Sequence, residues 1–270
     1  MSLFNRLVKF GVELESGELL VIDGLATNFV VKKYKDKKKN TCSVSVYNLG
    51  YDTIKKIVSE KGVGILEAGY DEDKGLVQLF YGETVKVEND HARPDSLTTF
   101  ELKSGRGKGV DKVVSLSYTD NTPLSVILKD IATKTGLSIK TIEQTTAKYF
   151  SGYAFHGPIL DALTEVSSKA GFEWSIIDNE LVIANPDSTN LDTIEEITYK
   201  TGLMSMRPIN KDGTSNLFEL RMLLKPQIQP GDILSIDNEM LQGQIVVDSL
   251  THKGSNVGPD FTTTVIGGLQ

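Results

Sequence analysis

The sequence predicts an α+β chain, mostly β, in which two β-rich arms flank a duplicated helix–strand α/β module. Three observations predict it. Apolar and polar residues alternate in many short runs on both sides of the chain's middle, the period of half-buried strands. The middle holds one small unit written twice: Pro123-Leu-Ser-Val-Ile-Leu-Lys-Asp-Ile-Ala-Thr-Lys-Thr-Gly136 and Pro158-Ile-Leu-Asp-Ala-Leu-Thr-Glu-Val-Ser-Ser-Lys-Ala-Gly171, with proline, leucine, lysine and glycine recurring 35 residues apart. The turn-rich stretch 185–190 then separates this module from a second strand-like region. The expected division is 1–118, 119–188 and 189–270.

In the first arm, residues 7–14 and 18–22 read as strands around the turn Glu15-Ser16-Gly17, and 29–34 as a third. The lysine-rich run 35–40 follows, and lysines guarding a solvated hairpin tip explain it better than a nuclear signal does. Residues 41–48 form a strand with Cys42, Val44 and Val46 on one face. Residues 51–61 are the arm's helix, with Ile54, Ile57 and Val58 as its stripe and Gly62 as its stop. Strands at 63–70 and 76–81 enclose the turn Asp71-Glu72-Asp73-Lys74-Gly75, and others follow near 83–88, 97–103 and 113–118. So many short strands suit a barrel or a sandwich.

In the module, proline suits the first position of each helix, where its missing N–H has no partner to lose. Leu124, Ile127, Leu128 and Ile131 make one apolar stripe, which Ile159, Ala162, Leu163 and Val166 repeat. Gly136 and Gly171 stand where a left-handed residue ends a helix. Residues 137–142 and 172–177 then alternate as strands, and Asp178-Asn179 turns the second into a hairpin with 181–183. The last arm reads as a strand at 193–199, a loop over 204–215, and a strand at 217–224 closed by Pro226 and the turn Gln229-Pro230-Gly231-Asp232. Strands at 233–236, 244–250 and 261–266 complete it.

Composition excludes several classes. With 39% hydrophobic and 24% charged residues, the 270-residue chain is globular. No apolar run approaches the roughly 18 residues of a membrane span, so no stable membrane insertion is expected. The N-terminus lacks the apolar core of a signal peptide. A lone Cys42 excludes an internal disulfide and fits a reducing compartment. A formal charge of −7 opposes tight nucleic-acid binding.

No catalytic, cofactor-binding or metal-ligating residue emerges, and the chain reads as a non-enzyme. Asp71, Asp73 and Gly75 imitate the start of a calcium loop, without the glutamate such a loop needs at its twelfth place. Gly105-Arg106-Gly107-Lys108-Gly109 lacks the Walker spacing and leads into a strand. His91, His156 and His252 lie far apart, and Cys42 inside a strand pattern reads as a small buried hydrophobe. Glu13, Glu15, Asp161 and Glu165 are carboxylates that sequence does not pair for acid–base work.

Three segments, in order, resemble the baseplate hub proteins of contractile-tailed bacteriophages and related injection machines. The first is Val44-Ser-Val-Tyr-Asn-Leu49, a helix, then Ile65-Leu-Glu-Ala-Gly-Tyr70 and Leu79-Phe-Tyr-Gly82. The second is the repeated module, with Phe155-His-Gly-Pro-Ile-Leu-Asp-Ala-Leu163 and Phe172-Glu-Trp-Ser-Ile-Ile-Asp-Asn-Glu-Leu181. The third is Leu223-Leu-Lys-Pro-Gln-Ile-Gln-Pro-Gly-Asp232 followed by Gly243-Gln-Ile-Val-Val-Asp-Ser-Leu-Thr-His-Lys-Gly254. Family hubs often carry aspartate after the last glycine, where this chain has Ser255.

The resemblance implies two tube-type β-barrel-like halves per chain and a structural, ring-forming homotrimer. Such a ring joins a six-fold tail tube to a three-fold spike in the virion baseplate and is made in the host bacterial cytoplasm. Implied partners are other copies of the chain, the tail tube protein and the central spike protein, with the tape measure and baseplate wedge proteins beside them. DNA would meet the ring only as a passing genome. With no lysozyme-like, peptidase-like or spike segment after Gln270, puncturing is expected of another chain. Given the acidic charge, the inner wall is expected to be neutral to acidic, with Lys35–Lys39 away from it. Helix–strand repeats also resemble the ring-forming periplasmic domains of secretin-type export channels, but the flanking arms and missing signal peptide weigh against that reading. A tail-associated hydrolase would need a catalytic set that is absent from the sequence.

Overall fold

A computed structural model describes residues 5–35, 40–60, 62–90, 94–104, 113–141, 148–177, 180–184, 190–209, 216–237 and 241–269. By internal contacts the chain divides into two compact units: Met1–Lys103 together with Thr189–Gln270, and Ser104–Ser188.

In the larger unit, the first arm supplies β1 (Arg6–Leu14), β2 (Leu19–Ile22), β3 (Thr27–Tyr34), β4 (Thr41–Tyr47), α1 (Tyr51–Glu60), β5 (Gly62–Tyr70), β6 (Gly75–Asp90) and β7 (Leu97–Lys103). Alternation decides which way each strand faces: Phe29, Val31, Cys42, Val44 and Val46 all point inward and are buried. They pack with Phe10, Phe80 and Phe100 into one core, in which the Phe10 and Phe100 ring centroids are 5.1 Å apart. The expected strands at 76–81 and 83–88 are a single strand, β6. Gly82 is not a turn there, because a Cβ at that position would lie 2.5 Å from the Lys103 carbonyl oxygen. The glycine permits close approach of β7, and an irregularity between Thr84 and Lys86 resets the register.

The smaller unit contains β8 (Val113–Pro123), α2 (Leu124–Thr135), β9 (Ser138–Thr141), β10 (Tyr149–Pro158), α3 (Ile159–Ala170), β11 (Glu173–Ile177) and β12 (Glu180–Ala184). Each helix is preceded by a proline cap residue and closed by a left-handed glycine, Gly136 at φ 74° and Gly171 at φ 67°. The buried positions coincide one for one: Leu124, Ile127, Leu128, Ile131, Ala132 and Thr135 in α2, and Ile159, Ala162, Leu163, Val166, Ser167 and Ala170 in α3. The strands, however, fall into two sheets. β8 pairs antiparallel with β10, while β12 lies between β9 and β11. The expected turn at 178–179 lies outside the described residues.

The second arm adds β13 (Asn190–Ile197), a 3-10 turn (Tyr199–Thr201), β14 (Leu203–Ile209), β15 (Leu217–Leu223), β16 (Asp232–Asp237), β17 (Gln242–Ser255) and β18 (Phe261–Leu269). Its core gathers Ile197, Leu220, Met222, Leu234, Val247 and Val265. The stretch expected as a loop from 204 begins as the strand β14. Pro208 suits an outermost strand, where a missing N–H on the outer side costs no ladder bond.

The ladders do not describe two separately closed halves. Both arms enter one open 13-stranded sheet ordered β14-β15-β18-β17-β3-β4-β7-β6-β5-β1-β2, with β16 also pairing β17 and β13. The cause is local: β3 of the first arm pairs with β17 of the second, from Asn28 opposite Ser255 to Tyr34 opposite Ser249.

Candidate functional site: the seam of the large sheet

The segment Leu224–Asp232 covers the inner face of the sheet where the arms join, and it holds a polar cluster between the two cores. Thr263 on β18 accepts the Lys225 backbone N–H at 2.9 Å and contacts His252 Nδ1 at 2.9 Å. Lys33 of β3 is 0% exposed and donates to Gln229 Oε1 at 2.9 Å. Lys225 Nζ lies 2.6 Å from Glu195 Oε1 on β13, and Gln227 Nε2 donates to both Glu195 oxygens at 3.0 and 3.1 Å. Asp232 closes the turn by accepting the Gln229 N–H at 2.8 Å. Burial, reinforced by Lys33, holds the His252 imidazole down to about 3, so it is neutral near neutral pH. The cluster is only partly satisfied, since the buried His252 Nε2 and Gln227 Oε1 have no hydrogen-bond partner among the described residues.

Two separated sequence motifs meet at this seam. Tyr70, which ends the Ala68-Gly69-Tyr70 strand, contacts the Leu224 backbone through its hydroxyl and sets its ring 5.1 Å from Phe261. Its phenol is raised, first by burial. Asn48 turns the chain after β4 at φ 56°, accepts the Ser96 N–H at 3.0 Å and donates to Asp95 at 3.0 Å. Ser255 does locally what an aspartate would do, accepting the Val257 and Gly258 N–H groups at 3.2 and 2.8 Å. The seam residues were legible only as motif letters. Nothing in the period of the sequence marks Lys33 as an inward lysine except its place after Phe29 and Val31.

The residues considered for chemistry do not converge. Asp71–Asp73 form an exposed turn, and Glu165 pairs with Lys169 at 2.6 Å. His156 contacts Ser115 at 2.8 Å, far in the chain from the buried His252. Cys42 is buried, and His91 and 105–109 lie outside the described residues. Among the described residues, no three His, Cys, Asp or Glu side chains cluster as metal ligands. A cleft of about 290 Å³ is lined by Val30, Lys32, Thr41, Cys42, Ser43, Glu101, Leu102 and Lys103. Neither 44–47 nor 217–224 offers a free edge for pairing with another chain: β4 lies between β3 and β7, and β15 between β14 and β18. The path ends instead at β2 and β14.

This architecture is that of the phage tail proteins. A tail protein from Neisseria meningitidis superposes with a TM-score of 0.65 at 9% identity, covering 99% of this chain and 97% of that one. The 43 kDa tail protein of prophage MuSo2 from Shewanella oneidensis gives 0.63 at 8% identity, with 97% and 98% covered. A type VI secretion component of E. coli, described as structurally similar to T4 bacteriophage tail proteins gp27 and gp5, gives 0.61 at 7%, covering 92% and 76%. Such identities speak for the fold. No curated protein matches the sequence. The family is set by sequence: residues 7–267 match the family Baseplate hub gp41, and the chain belongs to it. The family is a structural one, of the virion tail baseplate.

Proposed function

We propose that the chain is a non-catalytic, ring-forming adaptor. Three copies surround the DNA exit path and join a six-fold tail tube to a three-fold spike. One observation carries the reading: each chain holds two arms and two hydrophobic cores, the first taking in Leu224 and Phe261 of the second arm, on one open sheet ending at β2 and β14. Two arms in each of three chains supply six positions, and heterologous contacts between the open ends close the sheet into barrel-like walls. Closure between copies also removes the exposed edges. The helix–strand module, a duplicated insert in this reading, contributes no strand to this sheet.

In this reading the chain works without catalytic, cofactor or metal residues of its own. It is made in the host cytoplasm, meets the tube and spike proteins, and adjoins the tape measure and wedge proteins. Its inner wall is neutral to acidic. Of the lysine run expected to face away from that wall, only Lys35 is among the described residues; Lys37, Lys38 and Lys39 lie outside them. Cryo-EM of the tail tests the reading, with three copies expected at the tube–spike junction. A dimer, or six full-length copies, would refute it. Purified protein should leave peptidoglycan uncleaved.

A further inference from the structure

One end of the large sheet carries two oppositely charged features that lie side by side yet form no ion pair with each other among the described residues. The acidic feature is the turn Asp71-Glu72-Asp73, exposed and fixed by the Asp71 N–H to the Asn5 carbonyl at 3.0 Å. The basic feature surrounds the hairpin loop between β17 and β18. Arg6 donates to the Gly258 and Pro259 carbonyls at 2.5 and 3.2 Å and lies over the Phe261 ring at 5.2 Å. Lys253 pairs with Asp260 at 2.7 Å, and Arg221 lies 3.9 Å from the same carboxylate. Three cations thus share one anion. Both features belong to the same end because Arg6 is the ladder partner of Tyr70, and the Tyr70 ring packs on Phe261.

The loop is also rigid and apolar at its tip. Ser255 holds the Val257 and Gly258 N–H groups, and Asn256 Oδ1 accepts the Thr27 N–H at 2.9 Å while Asn256 Nδ2 donates to the Leu25 carbonyl at 2.8 Å. Val257 is nonetheless 73% exposed, and beside the acidic turn Leu76 is 38% exposed. A preformed loop with an apolar tip loses little conformational freedom on docking.

We infer that the acidic turn of one copy docks on the basic β17–β18 loop of a second copy, with Leu76 and Val257 in apolar contact between the charges. The turn of one copy seated on the loop of the next, without reciprocal exchange, is a heterologous contact that repeats from copy to copy, as a closed ring requires; reciprocal exchange would give a two-fold dimer and overturn this joint. Charge complementarity selects the orientation and speeds encounter. The inference rests on the ring reading above and assigns part of its joint.

The test is charge reversal in the full chain. Asp71→Lys with Asp73→Lys, and separately Arg221→Glu with Lys253→Glu, should each weaken self-association by roughly tenfold or more, read by sedimentation. All four reversals in one chain should restore it, and wild-type association should weaken as salt rises. Thermal midpoints check that the variants fold; if the lysine variant does not, Asp71→Asn with Asp73→Asn replaces it and should weaken association in the same direction. Reversed chains that associate like wild type would overturn this joint and leave the ring standing. A wild-type chain that is monomeric alone and single-copy in the tail would overturn both.

Discussion

His252 gives the seam a pH dependence of definite sign. Its folded value lies near 3, against about 6.5 for an unfolded histidine. Between those values the unfolded chain binds a proton that the folded chain refuses, so stability falls as pH falls through that window. At about 1.4 kcal/mol per unit, roughly 2–3 kcal/mol is lost by pH about 4.5. Asp260 and Asp130, held below the ordinary carboxylate range chiefly by Lys253 and Lys134, lose their contributions at still lower pH and do not mask this window. His252→Gln cannot titrate, and its urea midpoint should decline much less than wild type between neutrality and about pH 4.5. Parallel declines would show that the imidazole is not the proton acceptor. The neighbouring pair Lys225–Glu195 has side chains only 9% and 18% exposed. Lys225→Met alone strands a carboxylate and should cost about 3–5 kcal/mol, whereas Lys225→Met with Glu195→Leu should recover most of it. A double-mutant cycle in urea would read the coupling.

The two helices make the clearest case at the scale of elements. Leu128 and Leu163 occupy matching places and are 3% and 0% exposed. Truncating either to alanine should cost about 2–5 kcal/mol, and unchanged denaturation midpoints would contradict the packing. These helices were legible because the i, i+3, i+4 stripe and the terminal glycine are both local signals. β10 was not legible, since its inward Phe150 and Tyr153 are three residues apart across a register shift, with Gly152 at φ 69° between them. That irregularity hides the two-residue period. The edge position of β14 was equally hidden, because the pairing that makes Pro208 tolerable comes from β15 and not from its own composition. The interior position of β4 was hidden for the same reason: its neighbour β7 enters about 50 residues later.

At the scale of the whole molecule, the unit Ser104–Ser188 is continuous in sequence and has its own core of Leu124, Ile127, Leu163, Val166, Leu181 and Ile183. Expressed alone, it should unfold in one cooperative transition followed by circular dichroism; a gradual, sloping melt would contradict its independence. The larger unit is discontinuous, and that imposes a timetable on synthesis. β3 leaves the ribosome early, yet Val30 must wait for Lys253, about 220 residues later. At about 5–20 residues per second the wait is on the order of ten to forty seconds. Throughout that interval one side of β3 is an unpaired edge beside an otherwise assembled first arm. Lys32 on its outward face and Lys35 just beyond its end discourage another chain from taking β17's place. Lys32 and Lys35 therefore protect the nascent chain before its second arm exists.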